Sequence, residues 1–164
     1  MIPGPGAPSA RGSSMLPTER APRPLLLHAF VALGCDVAYL VVIHGEGNLS
    51  LGDPVVLFVA TYVAGLFAAS ISAVVTARSA ARTALLWWAI AGSVATGLLG
   101  AFSLVMLPLI PAAVPLVPVA IRTRARARRG STPPSSPWPS VVAPSVLAIA
   151  VLVGGLLAAH AISP

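Results

Sequence analysis

Few side chains in this sequence carry chemistry, and the most informative is an acid inside an apolar run. Asp36 stands in LGCDVAYLVVI, short of the polar segment that begins at His44. A carboxylate at such a depth in a membrane costs at least ~2.5–3.5 kcal/mol, so it turns towards protein or water. There it either binds a proton or cation, or it is protonated and hydrogen-bonds two helices together. If the apolar runs on either side of residues 44–53 form an antiparallel pair, Thr61 and Tyr62 fall at the depth of Asp36. They are its expected hydrogen-bond partners, with Tyr39 one helical turn along.

The remaining candidates are sparser. His28 lies near the start of the same run and is expected at the membrane interface. His44, Glu46 and Asp53 share one polar segment, with His160 far along the chain, but their spacing fits no metal-ligand pattern and no metal or other cofactor is assigned. Cys35, the single cysteine, has no intramolecular disulfide partner and reads as a small buried apolar residue. The run RTRARARR supplies Arg122, Arg124, Arg126, Arg128 and Arg129, expected to fix orientation and to attract anionic lipid headgroups. Without interleaved aromatic residues or a folded basic domain, it does not read as a nucleic-acid site. No G-x-S-x-G, H-E-x-x-H, paired C-x-x-C or phosphate-cradling glycine motif occurs, so an enzyme is not expected.

The elements that must position these groups follow from composition. The chain has 164 residues, 57% of them apolar and 9% charged, with a mean hydropathy of +0.91. A soluble domain carries about 25% charged residues, and so few clustered charges cannot clothe a water-soluble surface. The expected fold is therefore all-α, a multi-pass membrane helical bundle. Residues 1–24, rich in Pro, Gly, Ala and Ser, read as a disordered arm, and the first apolar run reads as a retained span rather than a cleaved leader. A transmembrane domain is expected over 25–162, with spans near 25–43, 55–77, 84–104, 105–121 and 141–162 and a basic loop over 122–140.

Residues 84–121 are the ambiguous stretch. As one straight helix they would measure about 57 Å, nearly twice a bilayer core. Two crossings give five spans, and one crossing gives four. Charge favours two. All ten basic residues are arginines, and with five spans every one falls on a single side, against Glu46 and Asp53 on the other. Arginine-rich short segments stay cytoplasmic, which puts the N-terminus inside and the C-terminus outside a cell (inner) membrane. Trp87, Trp88 and Trp138 are expected at headgroup depth on the arginine side.

Within LVMLPLIPAAVPLVPVAI, Pro108, Pro111, Pro115 and Pro118 follow 3-4-3 spacing. Each would free the carbonyl four residues earlier, on Leu104, Leu107, Pro111 and Val114. The stretch reads as a turn followed by a distorted fourth span. Stripes of small residues suggest close helix packing: Ala60, Ala64, Ala68 and Ser72; Ala89, Ser93, Gly97 and Ala101; and Ala150, Gly154 and Ala158.

The function expected from these features is a non-enzymatic structural, accessory or interaction subunit. Its partners would be the lipid bilayer and a helix-packing partner, either another subunit or a second copy. The alternative is a small proton- or cation-coupled transporter or channel using Asp36. The topology has a direct test. With Cys35→Ser removing the native thiol, Arg126→Cys should react with a membrane-impermeant maleimide only after the membrane is permeabilised. Labelling of intact cells would place the arginine run outside and overturn the five-span reading.

Overall fold

The computed structural model describes residues 23–46, 52–77, 79–100, 104–129 and 139–162. The described residues form helices and short connections, with no strand among them. Helix α1 spans Arg23–Glu46, α2 Pro54–Val75, α3 Ser79–Leu99, α4 Leu109–Ala113, α5 Leu116–Arg129 and α6 Pro139–Ile162. Residues 1–22, Arg78, Ala101 and Trp138, on which some expectations rest, lie outside the described residues.

Local chemistry accounts for the sharpest boundary. Pro54 opens α2 at a first-turn position, where its missing N–H costs nothing, and the Asp53 carboxylate accepts the Val55 N–H at 2.8 Å. That bond satisfies one of the free N–H groups at the helix start.

Helices α1, α2 and α3 run up, down and up between two ends. One end holds Arg23 and the start of α3; the other holds Glu46 and Asp53. Helix α2 packs against α1, α3 and α6, while α3 packs against α2, α4, α5 and α6. Helix α6 runs back up beside α2 and α3. Its Ala148 lies against Tyr62, and a Cβ on its Gly155 would collide with the ring of Phe58, nearer the acidic end.

The proline-rich stretch turns back between them. Met106 and Leu109 pack with Ala32, Cys35 and Val63 at mid-height of α1 and α2. Further along, Leu116 and Ala120 pack with Leu25, Ala73 and Leu86 at the arginine end. Residues 104–121 therefore descend the bundle, but in two short helices instead of one distorted span. The hydrogen bonds explain the break. The Leu107 carbonyl accepts from Ile110 N–H at 3.1 Å, Pro111 from Val114 at 3.3 Å, and Val114 from Val117 at 3.2 Å. Three of the four carbonyls that proline leaves without the usual donor take the N–H three residues on, which tightens the turn and ends the helix. Before this descent the chain passes Leu104, whose φ of 54° lies in the left-handed region disfavoured for branched-bearing L side chains.

Several bounds differ from the sequence reading; α3, expected over 84–104, spans Ser79–Leu99. The arginine run expected as a loop over 122–140 is helical as far as Arg129, because nothing in RTRARARR breaks a helix. The stretch expected as a fourth span is not one of the helices long enough to cross a membrane. Four helices meet length and apolarity requirements for crossing: Arg23–Glu46, Pro54–Val75, Ala80–Leu99 and Ser140–Ile162.

Of the small-residue stripes, the α3 set behaves as expected. Ala89, Ser93 and Gly97 are buried. A Cβ added to Gly97 would lie 2.5 Å from Ile110 Cγ1 and 3.4 Å from the Met106 carbonyl, so this glycine makes room for α4. On α2, Ala64 and Ala68 face outward, and within the chain α2 packs through Val56, Val63, Leu66, Ala69 and Ala73. On α6, Ala150, Gly154 and Ala158 are all exposed. Replacing Gly97 by Leu should push α4 off α3 and lower the unfolding free energy in detergent by about 1–3 kcal/mol, the usual penalty for overpacking. An unchanged denaturation midpoint would show that α4 is not seated there.

Candidate functional site

The expected constellation of Asp36, Tyr39, Thr61 and Tyr62 does not assemble by hydrogen bonding. Tyr62 is buried, but its hydroxyl donates to the Ala148 carbonyl on α6 at 2.8 Å, on the side of α2 away from Asp36. Its ring lies 6.1 Å from Phe58 and 6.4 Å from Trp88, centroid to centroid. Thr61 is exposed. Tyr39 is half-buried and packs by its ring against the cluster of Ala32, Cys35 and Val63. Asp36 is half-buried, and its Oδ1 is enclosed with no hydrogen-bond donor.

A different polar group holds the centre of the arginine half. His28 has 0% exposure, which corrects the expectation of an interfacial residue. Its Nδ1 lies 2.8 Å from Ser70 Oγ on α2 and its Nε2 2.8 Å from Ser93 Oγ on α3. Ser70 Oγ in turn donates to the Leu66 carbonyl at 2.9 Å. Because the Ser70 hydrogen is committed there, Ser70 accepts from His28, and Nδ1 carries the proton. Nε2 is then the acceptor, and Ser93 donates to it. Both ring nitrogens of a neutral imidazole are satisfied in a buried site. The backbones of α1 and α3 do not approach one another closely, so the imidazole links two helices that otherwise meet through neighbours.

The sequence does contain a trace of this junction. Ser93 lies on the buried α3 stripe, and His28 and Ser70 fall at matching depth on antiparallel neighbours. Choosing Ser70 over Ser72 on α2 requires the facing side of that helix. In an apolar helix with apolar surroundings, no polarity pattern marks it.

The chemical groups divide between the ends. Arg23, Arg82, Arg122, Arg124 and Arg126 belong to the end where α1 and α3 begin and α5 finishes; Arg128 and Arg129 continue the same helix. Trp87 packs there against the cluster of Leu25, Leu86 and Leu116, whereas Trp88 packs inward near Tyr62 and Leu66. At the other end, Glu46 and His44 are exposed at the end of α1, and Asp53 caps α2. Among the described residues, no three His, Cys, Asp or Glu side chains converge as metal ligands would.

Two cavities accompany these groups. A small one of about 140 Å³ lies between α2, α3 and α6, lined by Val59, Tyr62, Thr96 and Leu152 among others. A larger open groove of about 690 Å³ lies between the acidic-end halves of α1 and α2. It is lined by Val37, Leu40, Val41 and His44 from one helix and by Leu57, Ala60 and Thr61 from the other.

Among the described residues the fold is all-helical, with four helices apolar and long enough to cross a membrane. No protein-family model, curated protein or solved structure matches the chain.

The His28 junction makes a quantitative prediction. His28→Leu should destabilise the protein by about 1–3 kcal/mol, since it removes two interhelical hydrogen bonds and leaves Ser93 without its partner. A double-mutant cycle with Ser93→Ala should return a coupling of about 0.6 kcal/mol and no more than ~1.7 kcal/mol. Zero coupling, measured by reversible unfolding in mixed micelles, would mean that the imidazole does not bridge α1 to α3.

Proposed function

We propose that the chain is an integral protein of the cell (inner) membrane that crosses it five times. The fourth passage is the proline-broken descent through α4 and α5, with the N-terminus cytoplasmic and the C-terminus external. Segregation of the arginines from Glu46 and Asp53 supports this orientation. A broken passage is tolerable in hydrocarbon because its backbone groups are bonded locally and it is packed against α1 and α3.

Within that membrane the protein acts as a non-enzymatic structural, accessory or interaction subunit. The observation carrying this reading is the outward face of α6. Small residues in a spanning helix allow close backbone approach, which is how Gly97 of α3 admits α4. The stripe of Ala150, Gly154 and Ala158 has the same character, yet all three are exposed and nothing lies within 4 Å of a Cβ placed on Gly154. A packing face without a partner among the described residues fits a helix from another subunit or from a second copy.

A second reading, a small proton- or cation-coupled transporter or channel, rests on the enclosed Oδ1 of Asp36 that no donor reaches. The two readings separate experimentally. Purified in mild detergent from its native membrane, the protein should run as a complex larger than its 16.5 kDa chain, and Gly154→Leu should dissociate it. A monomer with no associated chain, carrying a reconstituted flux that Asp36→Asn abolishes, would replace the accessory reading with the transport one.

A further inference from the structure

The groove between α1 and α2 has a chemistry that the subunit reading does not use. Its volume of about 690 Å³ is in the range of small-molecule sites, which bury a mainly apolar ligand and orient it with a few polar groups. The walls are the aliphatic side chains of Val37, Leu40, Val41 and Leu57. Ala60 forms a low point between them, and Thr61 offers a hydroxyl oxygen. Asp36 stands one helical turn from Leu40 of the wall, further into the membrane-spanning part.

Charge at this end is of one sign. Asp36, Glu46 and Asp53 all belong to the halves of α1 and α2 that form the groove. Among the described residues every arginine belongs to the opposite end, about 20 Å along α1 from Val37 at the deep limit of the groove. The acids therefore lie nearer the groove than the arginines do, and their field dominates there. His44, at its mouth, is the one basic group in the lining.

We propose that this groove binds a lipophilic organic cation, with its hydrocarbon surface against the aliphatic walls and its charge directed towards Asp36 and the Thr61 hydroxyl. Apolar walls exclude strongly hydrated ions, and a carboxylate without a cationic partner among the described residues disfavours anions. A cation whose charge is spread over an apolar body meets both conditions, because it loses little hydration on entry. The proposal is independent of whether α6 engages a partner.

The probe is tetraphenylphosphonium, with equilibrium binding to the full-length protein in nanodiscs of zwitterionic phosphatidylcholine. These discs remove adsorption to anionic lipid. The expected result is saturable binding that is weakened at least tenfold both by Asp36→Asn and by Ala60→Trp, which fills the groove. Gly154→Leu, on the outward face of α6, should leave the affinity unchanged. Triphenylphosphine oxide, a neutral aryl analogue, should not compete.

Absence of saturable binding would overturn the proposal. So would unchanged affinity in a folded Asp36→Asn variant, or in Ala60→Trp. Equal competition by the neutral compound would show a slot for hydrocarbon, such as a lipid chain, rather than a cation site. Should Asp36→Asn not fold, Ala60→Trp and the neutral competitor decide the matter between them.

Discussion

A backbone carbonyl in an apolar interior must find a donor, and segment 104–121 shows how far that requirement governs this chain. Four prolines within one stretch remove the N–H groups that a continuous helix would use. Donors three residues away replace them at Leu107, Pro111 and Val114, and the cost is the straightness of the helix. Much of the remaining arrangement follows. Helix α4 is short enough to lie under Gly97, and α5 is redirected so that Leu116 and Ala120 close the core at Leu25 and Leu86.

Packing in the rest of the bundle depends on a small number of specific contacts. In lipid, apolar side chains gain little by exchanging acyl chains for one another, so shape and hydrogen bonds decide which faces meet. Cavity-free approach at Gly97 decides one seam, and the Tyr62 hydroxyl on the Ala148 carbonyl decides another. His28 decides a third. It joins α2 and α3 to α1 through two serines, so registry among three helices is set at one imidazole.

How much of this could be read from residues alone varies by feature. The first three long helices and the last were visible because charges and prolines bracket each apolar run, as Asp53 and Pro54 do for α2. The 3-4-3 proline spacing pointed to the distorted stretch, but not to its division, which depends on where each freed carbonyl finds a new donor. Helix faces were the harder matter. Ala60, Ala64, Ala68 and Ser72 formed a plausible seam, yet α2 packs mainly through another face, because alanine satisfies lipid and protein surroundings equally. For Asp36, depth alone suggested Thr61 and Tyr62. Rotation about the α2 axis instead directs Tyr62 towards α6 and leaves Thr61 in the groove wall.

The helical state of the arginine run carries a mechanical consequence. Because α5 continues unbroken from Leu116 to Arg129, its core-packed half and its charged half form a single lever. Arg122 and Arg126 share one side of that lever, with Arg124 on the other, as helical spacing requires. A displacement of the charged arm would be passed along one continuous helix to Leu116 and Ala120. The turn at Val114–Pro115 is the nearest place where the chain can pivot. Charges that first read as a label for membrane sidedness thus also sit on the handle of the element that closes the core.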